Sequence, residues 1–197
     1  RVLDRTFNYN NKRAKELLDI FREFSPDICF HLEIHPALLT QELKEELKTL
    51  PKGLLHLEAG IQSLREEVLE KCDRKGKLQD ALEGLKFLCS LDNTETHADL
   101  IAGLPKEPYD RFEQSFNDVF DLRPEELQLG FLKMLRGTGL RKQAEQFGYE
   151  YDEFTPYQMK KNNTLSESDV HNIHLAEEIL ERYWNAHRLD YTMKYLV

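Results

Sequence analysis

The sequence predicts an α/β fold, a mostly parallel, curved and open sheet with helices on its outer face. Three observations predict it. Short strand-like runs alternate with longer amphipathic stretches along the chain, the pattern of successive βα units. Each strand-like run is apolar on one parity and polar on the other, so it has two unlike faces. No internal repeat or low-complexity linker interrupts the 197 residues, a length that suits one domain or a large part of one.

The elements follow in order. After a strand stub ending near Leu3, Ala14, Leu17, Leu18, Phe21 and Phe24 repeat at helical spacing and predict a helix over 11–24. Ser25-Pro26-Asp27 breaks it, and 28–34 reads as a strand. Thr40 is placed to cap a second helix carrying Leu43, Leu47 and Leu50, which Pro51 and Gly53 end before a strand over 54–59. Ser63 and Glu66 have capping-box spacing for a short helix reaching Lys71, and a longer helix over 77–91 buries Leu78, Ala81, Leu82, Leu85, Leu88 and Cys89. A strand over 96–102 and a helix over 110–122, with Phe112, Phe116, Val119 and Phe120 inward, come next. Residues 126–134 read as the last clear strand, 140–146 as a short helix closed by Gly148, and 149–165 as irregular. A long helix over 167–187 carries Ile173, Ala176, Ile179, Leu180, Tyr183 and Trp184 on one side. The expected division is a barrel-like part over 1–139 and a C-terminal helical extension over 140–197 packed on it.

The strand faces carry the functional signal. Phe30, Leu32 and Ile34 oppose His31, Glu33 and His35; Leu55 and Leu57 oppose His56 and Glu58; Ala98 and Leu100 oppose His97 and Asp99; Leu127, Leu129 and Phe131 oppose Gln128 and Gly130. A closed barrel filled only by aliphatic layers has no place for these groups, since each polar group buried without a partner costs roughly 2–7 kcal/mol. The polar face therefore lines a wet or ligand-filled cavity, with function on it and at the carboxyl ends of the strands. His31, Glu33 and His35 with His56 and Glu58 have the donor types of a zinc or iron site, against which stands a polar wall whose groups satisfy one another and line a cofactor or substrate. His171, His174, Glu177 and Glu178 on the last helix are weighed the same way, as metal spacing or as a solvated face.

Bulk properties exclude several classes. With 40% hydrophobic and 32% charged residues the chain is globular, and a net charge of −9 without a basic run argues against a nucleic-acid surface. No apolar run is long enough to span a membrane and no signal peptide is visible, so a cytoplasmic location is expected. The three cysteines, Cys29, Cys72 and Cys89, have no spacing that nucleates a metal cluster and fit a reducing compartment. Cys89 reads as core and Cys72 as a surface thiol beside Asp73-Arg74-Lys75, while Cys29 is placed on the polar face.

Two motifs stand at the carboxyl ends of strands. Glu58-Ala59-Gly60-Ile61-Gln62-Ser63 sets a carboxylate before a turn glycine and a capped helix start. Asp99-Leu100-Ile101-Ala102-Gly103-Leu104-Pro105 sets a glycine, where main chain can approach a flat ligand, before a rigid turn. Together with Asp4-Arg5-Thr6-Phe7-Asn8 and Leu135-Arg136-Gly137-Thr138-Gly139-Leu140, these segments resemble the radical S-adenosylmethionine (SAM) superfamily over nearly the whole chain. The DRTFN form is similar to that of radical enzymes bearing a cobalamin-binding domain, and the GLP turn is also similar to that of oxygen-independent coproporphyrinogen oxidase.

The resemblance implies a partial (βα)6 TIM-like barrel of about five parallel strands, the first a stub, whose parent cleaves SAM reductively to a 5′-deoxyadenosyl radical that abstracts hydrogen from a substrate. It implies SAM contact at Asp4, Thr6, Glu58, Gly60, Gln62, Ser63, Asp99, Gly103 and Leu104, with His31, Glu33, His56, His97 and Gln128 on the substrate side. The CxxxCxxC segment that holds the [4Fe–4S] cluster is not in this sequence, which starts at Arg1 with no Met. The expectation is therefore an inactive fragment of an iron–sulfur oxidoreductase with no metal or cofactor of its own, and cobalamin entering through an upstream domain. A coproporphyrinogen oxidase-like enzyme of haem biosynthesis and a non-catalytic ligand- or metal-binding domain are the alternatives. Expected partners are a small-molecule or cofactor-precursor substrate, with no nucleic acid and no membrane. The open sheet edge is expected to pair with a second copy or to lie under the terminal helix.

Overall fold

A computed structural model of the protein describes residues 1–24, 28–72 and 77–196. The helical elements are α1 (Asn11–Phe21), α2 (Gln41–Lys48), α3 (Glu66–Lys71), α4 (Leu78–Cys89), α5 (Tyr109–Phe120), α6 (Gly139–Lys142), α7 (Glu167–Ile179) and α8 (Asp190–Leu196). The strands are β1 (Phe30–Ile34), β2 (Leu55–Gln62), β3 (Glu95–Ala102), β4 (Glu126–Phe131), β5 (Glu150–Tyr151) and β6 (Met159–Lys161). Strands β1 to β4 form one four-stranded parallel sheet in chain order, with a helix following each, which is the predicted α/β fold. Among the described residues this sheet has four strands rather than five. The N-terminal stub gives one backbone bond to its edge, Val2 N to His31 O at 3.0 Å, too few to make a ladder.

By backbone contacts the chain divides into two units, one of Arg1–Ile61, Gly76–Asp99 and Val119–Leu127, the other of Gln62–Lys75, Leu100–Asp118 and Gln128–Val197. The first unit is built on the aliphatic parity of its strands. Leu32, Ile34, Leu55, Leu57, Ala59 and Ala98 are buried, with Leu18 of α1, Leu47 of α2 and Leu85 and Leu88 of α4. Each such leucine contributes roughly 1.5–3 kcal/mol by leaving water. Helix α1 starts where the Asn10 side chain accepts from Arg13 N (3.1 Å), and α2 where Thr40 accepts from Leu43 N (3.3 Å), as its sequence position predicts. Asn93 closes the other end of α2 by donating to the Leu47 and Leu50 carbonyls at 2.9 and 2.8 Å. Gly84 lets α4 lie against the 3-10 turn Pro36–Leu38; a Cβ there would stand 2.2 Å from the Pro36 carbonyl oxygen. The predicted end of the first helix at Ser25-Pro26-Asp27 lies outside the described residues.

In the second unit, Val68, Leu100, Ala102, Leu104, Phe112, Leu129, Met134, Met159, Leu165, Val170 and Ile173 are buried. The segment expected to be irregular contains the antiparallel pair β5–β6, extended by Met134 N to Tyr157 O (2.8 Å) and Met159 N to Leu132 O (2.9 Å). The long helix expected over 167–187 is divided. Helix α7 begins with a true capping box, Ser166 with Asp169, and gives way to a π-helical turn over Leu180–Asn185. His187 and Leu189 then take left-handed backbone angles, φ 50 and 63°, which end the run before α8. Ser63 and Glu66 do not form the predicted box: α3 starts two residues later than that spacing requires, with Arg65 at its N-cap. Among the described residues no helix is long and apolar enough to cross a membrane.

Candidate functional site

The polar parity of the strands is where the titratable groups gather. Because β1 and β2 pair in parallel with His31 opposite His56 and Glu33 opposite Glu58, like side chains stand side by side on one face. The His31 and His56 rings stack with centroids 4.4 Å apart. His31 Nε2 lies 2.7 Å from Glu58 Oε2. The Arg1 guanidinium closes this end, donating to Glu33 Oε1 at 3.1 Å and to Glu58 Oε2 at 2.9 Å.

A second cluster continues onto β3 and β4. His56 Nδ1 faces Glu95 Oε2 at 3.3 Å, and the His56 and His97 rings meet edge to face at 5.8 Å. His97 Nε2 lies 3.1 Å from Asp99 Oδ1, and its Nδ1 lies 3.4 Å from Glu126 Oε2. Burial works against a charged His97 ring. The charge of Asp99, and then of Glu126 and Glu58, outweighs it and leaves its pKa above the ordinary value. One donor atom each from His56, His97 and Glu126 lies within 4.8 Å of the others, so this trio has the spacing and chemistry to hold a metal ion. Glu95 and Glu126 extend the polar parities of their strands, a signal legible two residues upstream of His97 and of Gln128.

The remaining expected contacts of the first unit are occupied within the chain. Asp4 Oδ2 lies 3.5 Å from the Arg13 guanidinium, and the Thr6 hydroxyl donates to the Arg5 carbonyl at 2.7 Å. Gly60 sits half-buried on β2 on the same parity as Glu58. Asn8 pins the chain after β1, donating to His35 O and accepting from His35 N, each at 2.9 Å.

In the second unit the motif residues turn to internal partners. Gln62 ends β2 at φ 70°, a left-handed angle uncommon for a residue with a side chain and frequent at ligand sites. The buried Ser63 hydroxyl donates to Glu107 Oε1 at 2.6 Å and accepts from Arg65 N at 3.1 Å. Glu107 is 1% exposed, and burial pushes its carboxyl up to about 7 against the pull of the Ser63 bond and the Arg65 charge. Periodicity and motif reading both pass over Glu107, since it sits in a turn between Lys106 and Pro108. The Gly103 carbonyl accepts from the Tyr149 hydroxyl (2.8 Å) and from Asn162 Nδ2 (3.3 Å). With φ 87° and the Met159 side chain 2.7 Å from where a Cβ would stand, Gly103 is the residue this loop needs. Leu104 is buried and Gln128 exposed.

The cysteines do not suit an iron–sulfur cluster. Cys29 is exposed ahead of β1, Cys72 follows α3, and Cys89 ends α4 with burial pushing its thiol up to about 12, where the ligating thiolate is scarce. The charged turn expected beside Cys72, Asp73-Arg74-Lys75, lies outside the described residues.

The model of the Radical SAM superfamily matches residues 2–119. Residues 145–197 match a family described as a protein of unknown function (DUF4080). Oxygen-independent coproporphyrinogen III oxidase of Salmonella typhimurium is 25% identical over 123 residues, covering 61% of this chain and 26% of that protein. The tRNA-2-methylthio-N(6)-dimethylallyladenosine synthase of Oceanobacillus iheyensis is 27% identical over 161 residues, covering 81% of this chain and 28% of that protein. The chain thus spans little more than a quarter of the length of these relatives. In fold it is similar to coproporphyrinogen III oxidase from Escherichia coli, with a TM-score of 0.58 at 20% identity over 85% of this chain and 36% of that one. It is equally similar to the radical SAM methyltransferase TsrM from Kitasatospora setae, with a TM-score of 0.58 at 18% identity over 77% and 32%.

Proposed function

The chain belongs to the radical SAM superfamily, and from that premise we propose that it is the polar wall of a SAM-cleaving iron–sulfur oxidoreductase. The observation that carries this reading is the trio of Arg1, Glu33 and Glu58. Two carboxylates side by side across β1 and β2 hold one guanidinium at 3.1 and 2.9 Å. Such a trio offers both signs of charge that a zwitterionic amino-acid group needs, carboxylates for its ammonium and a guanidinium for its carboxylate. His31, on Glu58 at 2.7 Å, orients that carboxylate and supplies a further donor or acceptor. When bound in the parent, SAM and a [4Fe–4S] cluster supply a 5′-deoxyadenosyl radical for hydrogen abstraction. The cysteines of this chain do not fit that cluster, so its ligands belong to another part of the parent and the chain alone is inactive. Cobalamin, which TsrM from Kitasatospora setae binds, enters through a further domain if the parent uses it. The protein works in the cytoplasm, and the edge of the sheet at β1 is its place for pairing with a second copy.

A coproporphyrinogen oxidase-like activity is the second reading, favoured by a relative and a fold neighbour that share that name. The similar TM-score to a methyltransferase leaves the substrate unassigned by fold, so product analysis separates the two. The test uses the full-length protein prepared without oxygen. It is expected to contain iron and sulfide, to cleave SAM under dithionite, and to lose roughly 10–100-fold in SAM affinity on Glu58→Gln, the size of one charge-assisted hydrogen bond. A colourless protein that leaves SAM intact overturns the reading, as does unchanged SAM affinity in the variant.

A further inference from the structure

The His56, His97 and Glu126 cluster lies at the other end of the strands from the place where α/β enzymes bind their substrates. His56 is the second residue of β2, His97 the third of β3 and Glu126 the first of β4. We propose that these three side chains form a zinc site that ties together the amino-terminal ends of β2, β3 and β4, separate from the SAM chemistry.

Donor type is the first argument. Two imidazoles and a carboxylate are a common zinc set with room for a fourth ligand, here a water molecule. Distance is the second. Donors bound to one tetrahedral zinc stand roughly 3.3 Å apart, since each lies about 2.0–2.1 Å from the ion. His97 Nδ1 and Glu126 Oε2 already stand 3.4 Å apart. The atoms of all three residues lie within 4.8 Å of one another, so at most about 1.5 Å of closure remains, within reach of small χ rotations.

Orientation is the third argument and distinguishes this cluster from an ordinary polar face. A zinc-bound histidine typically donates its other ring N–H to a carboxylate, which sets the tautomer and the ring plane. His56 has that partner, and His97 has a carboxylate beside its second nitrogen. Glu95 lies 3.3 Å from His56 Nδ1, which directs the opposite nitrogen to the metal, and His56 Nε2 is buried without a hydrogen-bond partner. Asp99 Oδ1 lies 3.1 Å from His97 Nε2 as a charge neighbour outside hydrogen-bond geometry, and His97 Nδ1 faces Glu126 at 3.4 Å, the nitrogen placed for the metal. A buried imidazole nitrogen without a partner carries a desolvation cost that a cation removes. At the amino-terminal end of the strands such a metal supports the fold rather than turnover.

Zinc, iron and sulfide are measured together on the full-length protein after dialysis against metal-free buffer, and zinc chloride is titrated back by calorimetry. One zinc per chain is expected in addition to the iron of any cluster. Cobalt(II) put in its place gives the visible absorption of a four-coordinate ion. Glu126→Gln, isosteric at a partly exposed carboxylate, and His56→Ala each abolish stoichiometric zinc without lowering iron or sulfide. Glu95→Gln, which touches only the second nitrogen of His56, weakens zinc about 10–100-fold. Should His56→Ala aggregate, Glu126→Gln and Glu95→Gln decide the matter. Absence of zinc uptake at micromolar zinc chloride overturns the proposal, and so does zinc content that survives Glu126→Gln.

Discussion

Replacing Glu107 by Gln should change the pH dependence of stability by an amount that the buried carboxyl dictates. Glu107 is 1% exposed, receives the Ser63 hydroxyl on Oε1 and has no hydrogen-bond partner on Oε2. Its pKa stands at about 7 in the folded protein against 4.5 unfolded, with burial as the largest cause. The sign follows from which state holds the proton. Below about pH 4.5 both states are protonated and the group is neutral to stability. As pH rises from there to about 7, the unfolded carboxyl ionises while the folded one keeps its proton, so stability falls; above about 7 the loss is complete. At about 1.4 kcal/mol per tenfold change in proton affinity, the loss amounts to about 3 kcal/mol. Gln keeps the acceptor for Ser63, matches the protonated acid in shape and cannot ionise. Thermal unfolding of both proteins at pH 5 and pH 8 gives a double difference in which every other titrating group cancels. Because the unfolded carboxyl is already mostly ionised at pH 5, the variant should gain about 2.5 kcal/mol relative to the parent between the two pH values, or roughly 5–10 °C in Tm for a chain of this size. A double difference under about 1 kcal/mol would refute the assignment of a buried, proton-holding carboxyl.

Two further changes test the packing that holds the strands. Gly84→Ala gains about 1 kcal/mol in helix propensity, yet its Cβ meets the Pro36 carbonyl oxygen at 2.2 Å, a backbone atom with nowhere to go. The overpacking cost prevails and Tm falls by about 4–8 °C; a rise in Tm would show that α4 and the Pro36 turn move apart freely. Arg22 donates to the Thr49 carbonyl at 3.0 Å and to the Thr49 hydroxyl at 2.6 Å, and pairs with Glu46, closing the end of α2. Arg22→Ala should lower the urea midpoint by an amount equal to about 1–2 kcal/mol with the slope unchanged, and an unmoved midpoint would contradict this role.

Much of the strand pattern was legible because period-two alternation is a local property. His31, Glu33, His56, Glu58, His97 and Asp99 share the polar parity whatever the chain does between strands, and Leu32, Leu57, Ala98 and Leu127 are buried opposite them. The Thr40 cap was legible for the same reason, since a hydroxyl three residues before its amide is a contact within one turn. The end of the last helix was not. An apolar stripe continues through Trp184, but left-handed backbone at His187 and Leu189 leaves no mark on side-chain periodicity.

Long-range partners were decided by the tertiary structure alone. Ser63 finds Glu107 across 44 residues, and the Gly103 carbonyl finds Asn162 across 59, pairings that no local rule contains. Glu107 illustrates the difference, since in sequence it is one acidic residue in a charged turn and in the fold a carboxyl kept from water near neutrality. By itself the sequence determined the α/β order, the two-faced strands and the family motifs, because side-chain alternation and capping act within a few residues. Which polar groups on that face meet at 3 Å, and which hold one another rather than a ligand, was settled only by strand register and by loops returning from far along the chain, since hydrogen bonds and desolvation depend on distance in space.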